Sequence, residues 1–427
     1  MTNCWSIGIF FVFFLGSFCF WNCLRRDDVK NSADWYGCID QEGEPTDFFT
    51  LYKLPKNHKS PVASLREGTA YIYLTPDSAT RLQSGGISSV LSYSDSSTNW
   101  VLSNFSIGDE KSMPGKTLRR LYRDYSFRSF LYYCYTVVQE PFKVDISKHV
   151  SALILVEFFP QNSAYFFYND EFPNGSVSLS HGHTKGILVM SELGGFWIIH
   201  SVPKYPPQPS EQYSYPATGQ RYGQTMLCIS IPPLSQSQAE NIGEQLIQND
   251  AHVYAWNIPT QLASKYPIFQ EIVKGVKLSS PPFYRVTQLS SVFGKTFTSF
   301  AKYKKFNEDL YSNLVAPVLK TDLYVESWRN GPEPLPSSCN ASFNVENIER
   351  IETSSASFSF STHQDHSKWA VSQNPDKPYV CIGDINRMET QFVRGGGTVC
   401  IWSLSLWHRF KNLISESEKC PVDLAEF

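Results

Sequence analysis

The sequence contains one layout twice, in two segments that lie far apart along the chain. Residues 181–203 read HGHTKGILVMSELGGFWIIHSVP, and residues 364–386 read QDHSKWAVSQNPDKPYVCIGDIN. Each segment has a His-x-Lys triplet, an apolar run, a polar turn and a second apolar run that ends in polar residues. Such an echo, without a short repeat period, predicts a duplicated unit and excludes a solenoid.

The spacing of apolar residues predicts a mixed α/β (α+β) fold. Residues 47–55 predict a strand, and residues 186–202 predict a hairpin because a Gly pair separates two apolar runs. Residues 204–220 carry four prolines and predict a loop. Two helices are predicted, one over residues 235–250, beginning with a serine, and one over residues 302–319, ending at a proline.

The composition excludes some classes of protein. The chain has 427 residues, more than one domain usually contains, so we expect two halves. Hydrophobic residues make up 42% and charged residues 18%, which excludes intrinsic disorder, and the 15% of aromatic residues favours sheets. The formal net charge of −3 gives no basic surplus of the kind typical of nucleic-acid binding. Nine histidines would add positive charge in an acidic compartment.

A long apolar run, residues 5–22, lies at the N-terminus. We predict that residues 1–30 are a secretory signal peptide, although no basic residue precedes the run and Arg25 and Arg26 follow it. An uncleaved signal anchor is the alternative, and only then would the protein be attached to a membrane. Translocation also agrees with three glycosylation sequons, at Asn104, Asn174 and Asn340.

Seven cysteines follow the predicted signal segment (residues 1–30), and none belongs to a Cys-x-x-Cys pair, so the sequence predicts no zinc site. In an oxidising compartment we expect disulfides, and an odd number leaves one cysteine over. Cys381 and Cys400 flank one short segment and are the pair most easily bridged. The other five are Cys38, Cys134, Cys228, Cys339 and Cys420.

The histidine and the lysine of each triplet would point to the same face of a strand. The pairs are His183 with Lys185, and His366 with Lys368. A lysine ammonium holds phosphate oxygens while a neighbouring imidazole attacks phosphorus or transfers a proton, so two such pairs indicate phosphate chemistry. The returning strands would bring further polar side chains beside them, namely His200, Ser201, Asp384 and Asn386.

The segments HTKG, FWIIHSVP, DHSKW, GDINR and RGGGT resemble the signature segments of deoxyribonuclease II, an acid endonuclease of lysosomes and secretions. Supporting stretches, among them FFTLYKLPK, YGQTMLC and EIVKG, extend the resemblance from about Cys38 to Cys420. It implies a fold similar to phospholipase D, with two halves packed as a pseudo-dimer and one active site at their seam. Residues 31–232 would carry the HTK motif, and residues 233–427 the HSK motif.

The resemblance also implies the activity, which is hydrolysis of DNA at acidic pH without a metal or another cofactor, leaving 3′-phosphate and 5′-hydroxyl ends. One histidine would attack phosphorus and the other would protonate the leaving 5′ oxygen, and we assign these roles to His183 and His366. The implied location is the lysosome or the extracellular space. The implied supporting residues are Lys185, Lys368 and Asn386 for holding the phosphate, His200 as a third important histidine, and Asp384 and Ser201 for orientation.

The disulfides that the resemblance implies are Cys38–Cys228, Cys339–Cys420 and Cys381–Cys400, which leaves Cys134 over. Two rival functions stay open at this point. One is a non-catalytic secreted paralogue that binds DNA or a host protein, and the other is a phosphodiesterase that acts on phospholipid or another diester. The oligomeric state is open as well.

Two further sets of residues have ordinary structural interpretations. The basic cluster of Lys302, Lys304 and Lys305 is expected to be a solvated face, although such a cluster also suits a DNA backbone. Trp197 and Trp369 lie near the motifs, where aromatic rings stack on bases, but we expect both to be part of the core.

Overall fold

The computed structural model describes residues 36–76, 100–122, 163–339 and 342–421. These residues form a mixed α/β structure with two large sheets, as predicted, and a short two-stranded sheet. The predicted signal segment, Cys134 and the sequon at Asn340 lie outside the described residues. Within the ranges described, no helix is both long enough and apolar enough to cross a membrane.

The first large sheet is built mainly from the N-terminal half. In chain order, the first ten strands of the described residues are β1 (Cys38–Ile39), β2 (Pro45–Thr46), β3 (Phe48–Lys53), β4 (Tyr71–Leu74), β5 (Val101–Leu102), β6 (Ala164–Tyr168), β7 (Gly186–Ser191), β8 (Gly194–His200), β9 (Gln224–Ile231) and β10 (Val253–Asn257). Strands β1 and β2 form the small sheet, and the large sheet has the order β10-β6-β7-β8-β9-β3-β4-β5. The predicted strand at residues 47–55 and the hairpin β7–β8 are confirmed.

The second large sheet is built from the C-terminal half. Its strands are β11 (Tyr284–Ser290), β12 (Thr296–Lys302), β13 (Leu323–Glu326), β14 (Val345–Thr353), β15 (Phe358–Ser361), β16 (Trp369–Ser372), β17 (Tyr379–Gly383), β18 (Gly396–Trp402) and β19 (Ile414–Glu418). Their order is β11-β12-β18-β17-β16-β13-β14-β15, and β19 pairs with β14. Strand β10 lies beyond residue 232 in the chain but pairs with β6, so it adds an edge to the first sheet.

The two sheets share an antiparallel run of four strands in the same order, β6-β7-β8-β9 in one and β13-β16-β17-β18 in the other. One buried hydrophobic cluster joins side chains of both sheets, including Leu188 and Trp197 from the first and Trp369 and Ile382 from the second. Trp197 and Trp369 are therefore core residues, as predicted. Both faces of the central strands are covered, which explains why their sequences are almost continuously apolar.

The helices of the described residues are α1 (Ala63–Glu67), α2 (Gln236–Gln248), α3 (Thr260–Lys265), α4 (Ile268–Lys274), α5 (Ala316–Leu319) and α6 (Leu404–Lys411), and residues 113–122 are also helical. Helix α2 confirms the helix predicted over residues 235–250. Ser235 and Gln238 form a capping box at its N-terminus, and Ala239, Ile242 and Leu246 bury one face.

The helix predicted over residues 302–319 is wrong in its first part, residues 302–309, whereas residues 310–319 are helical. Lys302 ends strand β12, and the chain then passes through a short 3₁₀ segment and a π-helical turn before α5. Pro317 lies in the first turn of α5 instead of ending a helix, because a first-turn residue has no intrahelical N–H bond to lose. Lys302 is also not solvated: its Nζ is buried and donates to the carbonyls of Gln391, Phe392 and Arg394 at 2.8–3.0 Å.

Three disulfides join cysteines of the described residues, Cys38–Cys228, Cys339–Cys420 and Cys381–Cys400, and these are the pairings that the resemblance implies. Cys38–Cys228 joins β1 to β9, and Cys381–Cys400 joins the neighbouring strands β17 and β18.

Candidate active site

The two His-x-Lys motifs occupy equivalent positions in the two sheets. Lys185 is followed by the first residue of β7, and Lys368 by the first residue of β16. The backbone anchors of the two histidines are reciprocal. The N–H of His366 donates to the carbonyl of Gly223 in the first sheet (2.9 Å), and the N–H of His183 donates to the carbonyl of Gly395 in the second (2.8 Å). Each motif is thus held by a segment of the other half.

Asp384 also ties the first motif to the second sheet. Its carboxylate accepts hydrogen bonds from the hydroxyl of Thr184, from the N–H of Lys185 (3.3 Å) and from the N–H of Gly397 (3.0 Å). Burial raises the pKa of Asp384 to about 6 against these hydrogen bonds. The structure therefore places Asp384 against the backbone of the HTK motif, where it fixes the position of the motif.

On the first side of the site, a buried carboxylate pairs with the motif lysine. Asp170, just after β6, lies 2.5 Å from Lys185 Nζ, 3.0 Å from Arg394 Nη2 and 3.8 Å from His183 Nε2. Burial alone would raise the pKa of Asp170, but the charges of Lys185 and Arg394 hold it below its usual value. Because Asp170 contacts these cations more closely than the imidazole, most of its negative charge is already compensated there.

On the second side, a carbonyl group faces the motif histidine. His366 Nδ1 lies 3.1 Å from the carbonyl oxygen of Ser201 and 3.4 Å from Gln224 Oε1. A carbonyl only accepts hydrogen bonds, so this contact is satisfied when Nδ1 carries a proton. Nε2 is then the ring nitrogen whose protonation changes. The hydroxyl of Ser201 donates to Gln224 Oε1 (2.6 Å), which fixes this edge of the site.

The motif lysines differ in their partners. Lys185 is ion-paired with Asp170, whereas Lys368 has no carboxylate within ion-pair distance among the described residues. Lys368 Nζ donates to the carbonyl of its own motif histidine (2.6 Å) and lies 3.0 Å from the Nδ1 of that histidine. Burial lowers the pKa of Lys368 well below its usual value, and the charge of Lys185 lowers it further. The two motifs therefore form one electrostatic site.

Both motif histidines are held in the neutral form, but to different degrees. For His183, burial lowers the pKa well below 6.5, and Lys185 and Arg394 lower it further. For His366, burial and the neighbouring lysines also lower the pKa well below 6.5, but the Ser201 carbonyl and the charge of Asp170 oppose the shift. His366 is also more exposed than His183. Of the two, it is therefore the one that takes up a proton with less opposition.

A buried acidic layer lies beneath the second motif. Asp365 accepts hydrogen bonds from the hydroxyls of Tyr52 and Ser367, and burial raises its pKa. Burial, followed by the charge of Asp365, raises the pKa of Glu326 well above its usual value. Neither oxygen of Glu326 has a hydrogen-bond partner in the described part of the chain. Burial thus favours the neutral form of Glu326, while the charge of Asp365 opposes the lowering of the pKa of Lys368 by burial.

The remaining predicted residues, His200 and Asn386, lie at the ends of β8 and β17. His200 ends β8 and is fully buried, and its Nδ1 accepts from the N–H of Val202 (3.2 Å). Burial, then Lys185, lowers the pKa of His200 well below 6.5. Asn386 follows β17, and its Oδ1 is buried without a hydrogen-bond partner among the described residues. The structure thus brings all eight predicted site residues to the ends of β7, β8, β16 and β17, two strands from each sheet.

An aromatic pair stands beside His366. The ring of Trp328 lies 5.2 Å from the imidazole of His366 and 4.6 Å from the ring of Tyr222, centroid to centroid. Both aromatic side chains are partly exposed.

The sequence analysis missed five residues of the site: Asp170, Arg394, Gln224, Tyr222 and Trp328. Each lies just outside a strand or at its first residue, and none belongs to a His-x-Lys motif. Asp170 and Trp328 match only in the sheets, where β6 lies beside β7 and β13 beside β16, because β14 and β15 separate β13 from the HSK motif along the chain.

Among the described residues, no group of three or more His, Cys, Asp and Glu side chains is arranged to hold a metal ion. In comparisons with known proteins, the family model for deoxyribonuclease II matches residues 37–420. A polyphosphate kinase from Porphyromonas gingivalis matches over 54% of this chain and 32% of its own at 11% identity, and with a TM-score of 0.25 this likeness carries no argument about the fold.

Relatives are similar along nearly the whole chain. Deoxyribonuclease-2 of Caenorhabditis elegans is 36% identical over 92% of this chain and 96% of its own length. Plancitoxin-1 of Acanthaster planci is 34% identical over 92% and 94%, and human deoxyribonuclease-2-beta is 34% identical over 90% and 91%. The chain therefore belongs to the deoxyribonuclease II family and is a deoxyribonuclease II-type endonuclease.

Proposed function

We propose that the protein is a metal-independent acid endonuclease that cleaves DNA to 3′-phosphate and 5′-hydroxyl ends by a two-histidine mechanism. The observation that carries the proposal is the meeting of both His-x-Lys motifs in one site, where each histidine backbone N–H donates to a carbonyl of the other half, His183 to Gly395 and His366 to Gly223. A cluster of buried cations around two imidazoles is complementary to an anionic diester. We also propose that the two halves, residues 31–232 and 233–427, are phospholipase-D-like units.

In this mechanism His183 is the nucleophile. A nucleophilic imidazole must be neutral, and burial together with the charges of Lys185 and Arg394 favours the neutral ring of His183. One of its ring nitrogens forms a bond to phosphorus while the bond from phosphorus to the 5′ oxygen breaks. Water then attacks phosphorus, the bond to His183 breaks, and the 3′-phosphate leaves.

His366 is the general acid and then the general base. With Nδ1–H directed at the Ser201 carbonyl, a protonated His366 offers its Nε2–H to the leaving 5′ oxygen. The neutral ring that results accepts a proton from the attacking water in the second step. Lys368, Lys185 and Asn386 hold the non-bridging oxygens, and Lys368 is the foremost of the three because no carboxylate of the described residues lies within ion-pair distance of it, whereas Lys185 is paired with Asp170.

The pH dependence follows from the charges. Nearby cations depress the pKa of His366 in the free protein, and a bound diester adds a negative charge that raises it again. As the pH rises above the pKa of His366 in the complex, the proton for the 5′ oxygen is lost and cleavage stops. A less negative protein at acidic pH also repels DNA less.

The test is nicking of supercoiled plasmid by the purified protein in excess chelator, at about pH 5 and about pH 7.5, which bracket the usual histidine pKa. We expect cleavage confined to the acidic sample, with product ends that phosphatase must trim before a polymerase extends them. Chelator-sensitive cleavage would contradict metal independence. DNA binding without cleavage would indicate the non-catalytic rival, and release of choline from lipid without nicking would indicate the phospholipid rival.

We also propose that the protein is translocated and acts in lysosomes or outside the cell. Three disulfides suit an oxidising compartment, and the sequon residues Asn104 and Asn174 are exposed. Treatment of the secreted or luminal protein with an N-glycosidase should reduce its apparent mass, and Asn104→Gln with Asn174→Gln should reduce that shift. A protein that is not glycosylated and fractionates with the cytosol would contradict translocation.

A further inference from the structure

The proposed mechanism assigns no role to the aromatic pair of Tyr222 and Trp328. The two rings meet edge to face, with an interplanar angle of 77°, and Trp328 lies against the imidazole of His366. The guanidinium of Arg221, whose side chain is exposed, lies 5.0 Å from the centroid of Tyr222. Two partly exposed aromatic rings and a cation therefore border the general acid.

Strand register shows that this pair replaces an ion pair. Tyr168 pairs with the residue after the HTK motif, and Glu326 pairs with the residue after the HSK motif. Two residues further along, Asp170 and Trp328 hold matching positions. The register between β8 and β9 matches the register between β17 and β18. Tyr222, before β9, and Arg394, before β18, therefore also hold matching positions.

The replacement is not explained by core packing. Trp197 and Trp369, the tryptophans of the shared core, are 2% and 0% exposed, whereas Tyr222 and Trp328 are each partly exposed. The positions that hold a charged pair beside His183 hold a pair of partly exposed aromatic rings beside His366. Accessible rings next to a phosphate site match the chemistry of a nucleotide, in which a flat base is attached to a backbone phosphate.

We propose that Tyr222 and Trp328 form a subsite for the nucleobase on the 5′-oxygen side of the scissile phosphate, with Arg221 near the next backbone phosphate. The proposal rests on the proposed function, because it takes His366 as the group that protonates the 5′ oxygen. The base of that nucleotide stacks on an aromatic face and leaves the stack of its own strand. Any base has such a face, so the subsite selects nucleotides without selecting a sequence.

The test uses two single-stranded oligonucleotides, each with one cleavable diester between neutral, uncleavable linkages. In one, the nucleotide on the 5′-oxygen side carries a base, and in the other it is a tetrahydrofuran abasic unit. For the wild type we expect kcat/KM to fall about tenfold on the abasic substrate, in the range known for stacking on an aromatic side chain. For Trp328→Ala, kcat/KM on the normal substrate should fall by about the same factor relative to the wild type. On the abasic substrate, the variant and the wild type should have the same kcat/KM. Trp328→Phe should restore most of the kcat/KM on the normal substrate.

Tyr379 and Trp402 provide a matched control, because they form a similar edge-to-face pair (4.8 Å, 83°) whose tryptophan lies at the opposite end of β18 from the site. Trp402→Ala should leave both rates unchanged. Equal losses of Trp328→Ala on both substrates would mean that Trp328 only positions His366, and no loss would mean that it has no role; either result overturns the proposal. Failure of the proposed function is distinct, since the wild type would then cleave neither oligonucleotide.

Discussion

The two sides of the active site share one scaffold and differ in the chemistry that surrounds each histidine. Beside His183, Asp170 and Arg394 form a buried ion pair across the two sheets. Beside His366, Trp328 of the second sheet contacts Tyr222 of the first sheet, so an aromatic contact joins the two sheets there. The backbone anchors of the two histidines are alike, so the difference lies in the side chains alone.

Under the proposed mechanism, this difference lets a duplicated fold support two unlike catalytic roles. A carboxylate paired with Lys185 and an adjacent arginine belong to the enclosed side, where the proposed nucleophile must be neutral. A lysine that has no carboxylate of the described residues within ion-pair distance, Lys368, and a more exposed imidazole belong to the side where the proposed mechanism delivers a proton to the substrate. The following predictions test whether the two sides differ in these ways.

The largest effect concerns the histidines themselves. On DNA, we expect His183→Ala and His366→Ala each to reduce kcat on the order of 10³-fold or more, because each removes one of the two reacting groups. A nitrophenyl ester of thymidine 3′-phosphate should distinguish the roles of the two histidines. The nitrophenolate leaves without a proton, so His366→Ala should keep most of the rate of its first step and His183→Ala should not. The reverse pattern would exchange the two roles.

The next effect concerns stability. Asp170→Asn leaves Lys185 and Arg394 buried without their carboxylate, which should lower the free energy of unfolding by about 3–5 kcal/mol. Trp328→Ala removes a partly exposed ring and should cost about 1 kcal/mol. Urea unfolding at neutral pH measures both. An equal cost for the two variants would contradict the difference between a buried ionic side and an open aromatic side.

The disulfides should also differ between the halves. Cys38–Cys228 closes a loop with a sequence separation of 190, and Cys381–Cys400 one of 19, while all four cysteines are buried. Because the loss of chain entropy grows with the logarithm of loop length, removing the first should cost about 2 kcal/mol more than removing the second. Unfolding of the two double Cys→Ala variants tests this, and equal costs would mean that the unfolded chain is already compact.

The smallest effect concerns His200. Its folded pKa is lowered, so below about pH 6.5 the unfolded chain binds a proton that the native protein does not, and stability falls as the pH falls. His200→Asn keeps an acceptor for the N–H of Val202 and removes the titrating group. The loss of unfolding free energy between about pH 6.5 and pH 5 should shrink by about 1.5 kcal/mol. His58→Asn, an exposed control, should not change it.

Much of the site could be predicted because its central residues recur at fixed spacing. His183, Lys185, His366 and Lys368 repeat within short segments, and period-two geometry puts each pair on one face of the chain. Asp384 was predicted as an orienting residue, but its target could not be predicted. It binds the backbone of the HTK motif from the other half of the chain, and such a contact depends on how the sheets pack.

Asp170, Arg394, Tyr222 and Trp328 could not be found from local pattern, because each acquires its partner across the two sheets. Lys302 shows the same limit in the fold. It follows an apolar strand and precedes two more basic positions, so the sequence indicates a solvated cluster. Its Nζ is instead buried against three carbonyls of a segment about 90 residues away.

The most direct measurement is mass spectrometry of the His366→Ala variant quenched in alkaline denaturant during turnover of the nitrophenyl ester. The first step needs no proton donor, and the second step lacks its general base, so the covalent intermediate should accumulate. We predict a thymidine 3′-phosphoryl adduct on the peptide that contains His183, and none in the doubly substituted His183→Ala/His366→Ala protein. An adduct on any other residue, or steady release of nitrophenol without an adduct, would contradict the assignment of His183 as the nucleophile.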